Sequence, residues 1–362
     1  MAKAVYVGVG SKAHKMKKAY IGIGGKARKV KKMYIGVGGK ARLCYSAELE
    51  KVGMATALST TRYDMRAATV GKYALFAGGY ISKSSFGYSV SSSVDAYNTS
   101  LTKSTPTELS CKRCGHAAAS VGGYALFAGG ASSYNILGFY ENLVSAVDAY
   151  DASLTRSAAH IIGATVAIGG AAVGNYALFA GGTVYSQINK DNVTSDVLAY
   201  DPSLTFTTAP LLSVARANVK GASAVNYALF AGGRAGSFCT TVDAYNASLT
   251  RTTATALSST KNNSAAATVG NHAIFVGNTA SADIYDASLT KTSAAILSTA
   301  RTGLAATTVG DYAIFSGGGV ADFCDASLTR SNIGTSMTGY DMGAATIGDY
   351  ALFAGGHSGE KS

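Results

Sequence analysis

Cys111 and Cys114 lie in a Cys-Lys-Arg-Cys stretch, the spacing of a redox dithiol or of half a zinc site. A zinc site needs a second pair, and Cys44, Cys239 and Cys324 are scattered singly. The stretch falls between strand-like runs, not at a helix start where a thiolate would be stabilised, so it reads as two free thiols. The five histidines, His14, His116, His160, His272 and His357, make no His-x-x-x-His pair, and no acidic calcium loop occurs. His272, which replaces the repeat tyrosine, and His116 read as structural. The sequence therefore predicts no catalytic residue, no metal and no cofactor.

Binding chemistry is better represented. Arg62, Arg113, Arg216, Lys261 and Arg301 recur at equivalent positions of an internal repeat. A second group is aromatic: Tyr80, Phe86, Tyr88, Tyr134, Phe139, Tyr140 and Tyr185 fall in long connections at 80–93, 131–145 and 183–195. Guanidinium groups match carboxylates, and aromatic rings beside polar groups suit sugar or protein contacts. Two readings stay open for each group. The arginines either face a ligand or hydrogen-bond neighbouring carbonyls. The rings either meet a ligand or pack on one another or on a sister subunit.

The elements that position these residues follow from the repeat. Tyr-Ala-Leu-Phe-Ala-Gly-Gly begins at Tyr73, Tyr124, Tyr176 and Tyr227, with variants at His272 and Tyr312 and a further copy at Tyr350. A run of small residues, such as Ala67-Ala68-Thr69-Val70, precedes each copy. Six copies lead into a second signature of the Val94-Asp95-Ala96-Tyr97 kind, followed by a turn and Ser-Leu-Thr. Each unit reads as four strands at a period of about 40–50 residues, the propeller pattern. Small side chains suit the innermost strand, and the Gly pair suits a turn with positive φ. Seven first halves meet only six second halves. Residues 43–51 fit the missing half and lead into Ala57-Leu58-Ser59, which matches Ile296-Leu297-Ser298. The predicted fold is all-β: a seven-bladed propeller over residues 41–362, closed by N-terminal strands within 41–58. In such a disc the long aromatic connections and the repeated arginines share one face.

A strand ending in Gly-Gly, a spaced aromatic in the next strand, and Arg113-Cys114-Gly115-His116 before Ala117 resemble the kelch repeat over roughly residues 41–356. The usual tryptophan of the fourth strand is missing, for the chain has no Trp. The resemblance implies a scaffold for binding more than an enzyme, and a fold does not fix a function. The copper site of tyrosines and histidines found in one kelch enzyme type cannot be assembled here.

Charge separates a second region. Residues 1–45 hold 12 of the 31 Lys and Arg and no Asp or Glu, so the body sets 19 basic residues against 20 acidic ones. The basic arm, residues 1–40, repeats Val5-Tyr6-Val7-Gly8, Ala19-Tyr20-Ile21-Gly22 and Met33-Tyr34-Ile35-Gly36, with Lys29, Lys31 and Lys32 in one of the basic returns. It resembles the basic Tyr-Ile-Gly-Val-Gly-Gly-Lys-Ala-Arg repeats that open prophage tail proteins of Gram-positive bacteria. That resemblance implies a virion or tail-like particle. Tyr6, Tyr20, Tyr34 and the lysines would attach to a tail or baseplate protein, and the propeller would meet a host-surface glycan or protein. A homo-oligomer in the particle is expected. Nucleic acid is disfavoured, because no aromatic interleaving accompanies the basic runs. Synthesis in a bacterial cytoplasm is expected: no apolar signal segment opens the chain and no stretch is apolar enough to span a membrane. The alternative is an intracellular kelch scaffold that grips an acidic protein through an Arg-lined face.

Overall fold

A computed structural model of the chain describes residues 6–9, 12–15, 20–23, 26–29, 32–37, 40–46, 49, 51–85, 87–135, 137, 139–184, 192–261, 265–335 and 338–358. The chain divides into two compact units, residues 1–53 and 54–362. The first unit contains three antiparallel hairpins: Tyr6–Val9 with Lys12–Lys15, Tyr20–Ile23 with Lys26–Lys29, and Lys32–Val37 with Lys40–Ser46. The third hairpin differs from expectation. Leu43 and Tyr45 were expected to join the sheet of Tyr350, yet they pair with Tyr34 and Met33. The physical reason is loop closure. A partner across a two-residue connection costs far less chain entropy than one some 300 residues away.

The second unit is all-β and propeller-like, without a helix among the described residues. Four-stranded antiparallel sheets follow one another along the chain. The first joins Arg66–Val70, Tyr73–Ala77, Val94–Asn98 and Lys103–Ser104 in chain order, and the second joins Ala117–Val121, Tyr124–Ala128, Val147–Asp151 and Arg156–Ala158. Four more begin with Gly169–Val173, Lys220–Ala224, Ala265–Val269 and Ala305–Val309. The last sheet, Gly343–Ile347 with Tyr350–Ala354, has two strands among the described residues. Alternation at period two explains the innermost strands: Ala117–Val121 buries Ala117, Ala119 and Val121 and half-exposes the residues between. The second strand is buried on both faces after its first residue, so Ala-Leu-Phe-Ala is apolar throughout.

Two turn types repeat. At the Gly pair, Gly78 and Gly79 hold φ of 64° and 95°. A Cβ on Gly78 would lie 2.6 Å from the Arg113 carbonyl oxygen, and one on Gly79 would lie 2.5 Å from that of Tyr63. Glycine is therefore required twice over, for conformation and for closeness. At the other end of the sheet, Asp151 Oδ1 accepts the amides of Ser153 and Thr155. This arrangement drives Leu154 to a φ of 65°, a left-handed strain of roughly 1 kcal/mol for a side chain of its kind. Leu154 and Tyr73 pack on the same buried cluster, so the turn of one sheet closes over the previous sheet. Leu101, Leu204, Leu249, Leu289 and Leu328 repeat this conformation.

Neighbouring sheets meet along their innermost strands through a chain of side-chain hydroxyls. Ser120 donates to the Thr69 carbonyl, Ser223 to that of Ala172, Thr268 to that of Ser223, Thr308 to that of Thr268, and Thr346 to that of Thr308. Thr69 then donates to the Thr346 carbonyl at 2.8 Å, which joins the first sheet to the last. Backbone bonds repeat the link: Asp64 N donates to Asp341 O at 2.7 Å and Gly356 N to Arg62 O at 2.9 Å. The chain of hydroxyls lapses where Ala172 stands, because alanine has nothing to donate to Ser120 O. Ala172→Ser is expected to supply that bond and raise stability by about 0.5–1.5 kcal/mol in urea unfolding; an unchanged or lowered midpoint would contradict the hydroxyl chain as a source of cohesion.

Candidate functional site

The repeated cations lie inside the sheets. Arg62, Arg113 and Arg216 are fully buried and Arg301 is 7% exposed. Each meets the Asp of its own sheet's third strand: Arg62 with Asp95, Arg113 with Asp148, Arg216 with Asp243, Lys261 with Asp283 and Arg301 with Asp322. Arg216 also donates to the carbonyls of Phe230 at 3.0 Å and Gly232 at 2.8 Å, which ties its connection to the Gly turn. The second oxygen of each carboxylate faces a cation on the fourth strand, half-exposed Lys103, Arg156, Arg251 or Lys291 or exposed Arg330. A serine three residues before each buried cation donates its amide and hydroxyl to the same Asp, as Ser213 does to Asp243. Burial raises the Asp283 carboxyl, but the Ser258 hydroxyl and Lys261 ammonium outweigh it and hold the group below the usual carboxylate range.

The third sheet dispenses with the whole set. Thr165 stands at the arginine's position, Leu198 at the aspartate's and Phe206 at the outer cation's, and no serine stands three residues before Thr165, where the chain has Ile162. Leu198 and Phe206 pack on the apolar cluster there, and Phe206 stacks on His160 at 4.4 Å between centroids. Joint replacement is what a structural ion cluster predicts. A buried carboxylate without its cation is costly, whereas an apolar set of similar volume is tolerated. The four arginines proposed to line a binding face are spent on carboxylates and carbonyls within the sheets.

Tyr80, Tyr88, Tyr134 and Tyr140 come together at the surface, while Phe86 lies outside the described residues. Tyr80–Ser84, Gly87–Val90, Ala131–Tyr134 and Tyr140–Leu143 build a four-stranded sheet from the connections of the first and second sheets, with Tyr88 opposite Tyr134. Tyr80, 3% exposed, is its hub. Its ring lies 5.2 Å from Tyr63, 5.5 Å from Tyr88 and 5.4 Å from Tyr134, and Tyr134 lies 4.9 Å from Tyr140. Burial pushes the Tyr80 and Tyr140 hydroxyls above the ordinary phenol range, so both keep their protons at neutral pH. Tyr63, Tyr88, Tyr134 and Tyr140 stay half-exposed. The rings thus pack on one another and still present surface. Sequence reasoning missed Tyr63, Tyr340 and His357, which extend the cluster: His357 contacts Tyr63 at 4.9 Å and bonds Asp341 at 3.1 Å. Position in the repeat was the available signal, since Tyr340 and His357 correspond to Tyr63 and Tyr80.

Tyr185 and Lys31 lie outside the described residues. Tyr6, Tyr20, Tyr34, Lys29 and Lys32 fall in the hairpins of the first unit. Cys111 and Cys114 are free thiols, and Cys114 is buried with its Sγ donating to Ala131 O. His116 is buried, and that burial together with Arg66 and Arg113 holds its imidazole well below the usual range, so it is neutral. Among the described residues no group of His, Cys, Asp or Glu side chains could hold a metal ion. No protein-family model matches the chain, and no curated protein matches it in sequence.

Removing one member of an ion cluster should expose its cost. Asp243→Leu is expected to lose about 3–5 kcal/mol. Adding Arg216→Thr and Arg251→Phe, which reproduces the third sheet, should recover most of it in thermal or urea unfolding. A triple variant no more stable than the single one would contradict the cluster as a unit.

Proposed function

We propose that the sheets of residues 54–362 are seven blades of one closed kelch-type propeller, and that this propeller is a non-enzymatic binding head. Support for the ring comes from the bonds joining the Thr69 strand to the Thr346 strand, which repeat those between consecutive sheets. In this reading closure runs through the innermost strands and the 54–65 connection. That connection accepts the Tyr97 hydroxyl at Thr56 O as other connections accept Tyr150, Tyr200, Tyr245 and Tyr285.

One observation carries the binding role. Two connections leave a regular scaffold to build an additional sheet whose half-exposed tyrosines the repeat does not require. The basic hairpin arm supports attachment to a larger body. Together they favour a component of a phage tail or tail-like particle, with residues 1–40 docking to a tail or baseplate protein and the propeller recognising a host-surface ligand. The acidic-partner alternative draws no support from arginines that are already paired inside the sheets.

Deleting residues 1–40 is expected to abolish incorporation into particles while circular dichroism and the melting temperature of the remaining domain stay near those of the full chain. Normal incorporation of the truncated protein would overturn the attachment role.

A further inference from the structure

The last sheet has the inner half of the repeat and, among the described residues, no outer half. Its second strand shows the effect. Tyr73–Ala77 and its counterparts in the other sheets are buried after their first residue, whereas Tyr350–Ala354 is half-exposed along its whole length. In five sheets the phenylalanine of this strand meets the tyrosine of the third strand edge-on at 5.8–6.0 Å between centroids, as Phe76 meets Tyr97. Phe353 holds the same place and is half-exposed. The neighbouring sheets tell the same story. A Cβ on Gly71, Gly122, Gly174 or Gly270 would lie 2.7–3.1 Å from the outer turn of the next sheet, and one on Gly348 would lie 3.3 Å from Thr99 of the first. A Cβ on Gly310, which the last sheet follows, would meet nothing within 4 Å among the described residues. An edge strand so exposed is a template for another strand.

The chemistry that this edge asks for follows from the repeat. Each buried cation stands four residues before the first strand of its sheet, as Arg62 stands before Arg66, and Gly339 takes that place before Gly343. A buried aspartate in the third strand would therefore lack its cation, so a neutral residue is required there, as Leu198 is in the third sheet. An aromatic residue two places further on would cover Phe353. Residues 40–46 carry this pattern: aligned on Tyr97, Tyr45 puts Leu43 at the place of Asp95. The charge is lost on both sides of the pairing together. Arg42 departs from the pattern at the place of Val94. Lys40–Ser46 is half of a two-stranded sheet with Lys32–Val37, so one of its edges is unpaired among the described residues. Two strands alone have little stability in water. Added by that edge to Tyr350–Ala354, the hairpin gives the last sheet the four strands of its neighbours.

In its own chain this hairpin belongs to a compact unit other than the one that holds the last sheet. We propose that the last sheet accepts the Lys40–Ser46 strand of a second copy of this chain, antiparallel to Tyr350–Ala354, through backbone hydrogen bonds and a contact of Tyr45 with Phe353. Donor and acceptor are different surfaces, so the contact is head-to-tail and copies join into a ring or a filament. This goes beyond the binding-head reading and draws on neither particle attachment nor a host ligand.

The test uses the full chain by itself. Sedimentation velocity is expected to show self-association that rises with concentration, and hydrogen exchange at the amides of residues 350–354 is expected to slow in step with it. Leu43→Asp brings a carboxylate to a sheet without its cation and should weaken association by about tenfold or more. Gly339→Arg, added to Leu43→Asp, supplies the cation and should recover most of that loss. Protection of 350–354 at every concentration, with the chain monomeric, would assign the strand to its own chain and overturn the proposal. So would exchange at 350–354 that stays fast while copies associate, a monomer with 350–354 unprotected throughout, or association indifferent to Leu43→Asp. Particle attachment is read separately, from incorporation of the arm-deleted chain, so either reading can fail without the other.

Discussion

A buried carboxylate governs the architecture. Asp95, Asp148, Asp243, Asp283 and Asp322 sit in the third strands of their sheets with almost no exposure. A charge so placed requires a cation and several donors. One cation comes from the connection that leads into the sheet, another from the fourth strand, and a serine amide and hydroxyl complete the shell. The carboxylate thereby fixes the path of a connection that has no regular structure of its own. The same guanidinium reaches the carbonyls at the end of the second strand, so the connection, the Gly turn and the outer strands are held by one centre. The third sheet meets the same demand by removing the charge with every partner it needs.

Other repeated features serve cohesion in the same way. The glycine pair admits the next connection to within hydrogen-bonding distance. Leu154, Leu204, Leu249 and Leu289, left-handed in their outer turns, pack in the same clusters as Tyr73, Tyr124, Tyr176 and Tyr227 of the previous sheets. The inner hydroxyls bond from sheet to sheet. What remains outside this economy is the cross-connection sheet around Tyr80. It is present over two sheets, it is partly exposed, and no element of the repeat depends on it. That separation between what the repeat needs and what it does not is the physical basis for placing function there.

Much of the fold was legible because its signals are local. Strand identity follows from period-two burial around Tyr-Ala-Leu-Phe, and the turns follow from Gly-Gly and from Asp or Asn before Ser-Leu-Thr. The role of the arginines was less legible. A charge recurring in connections looks like a surface row when the partner lies about 30 residues away in sequence, as Asp95 does from Arg62. The decisive signal was present but distributed: Thr165, Leu198 and Phe206 change together. Tyr63, Tyr340 and His357 were missed because ring-like contact between residues near 60 and near 350 brings them together. The pairing of residues 40–46 was misjudged because a template match over nine residues says nothing about a competing neighbour two residues away.

A closed ring requires the first and last sheets to be joined as firmly as any neighbouring pair. Amide hydrogen exchange measures this directly, through Asp64 N and Gly356 N across the junction and through Ala167 N and Asn218 N, which make the corresponding bonds at 2.8 Å and 2.7 Å between interior sheets. A closed ring predicts that the junction amides exchange as slowly as the interior ones. Exchange at Asp64 and Gly356 as fast as in an exposed loop, with Ala167 and Asn218 protected, would contradict it.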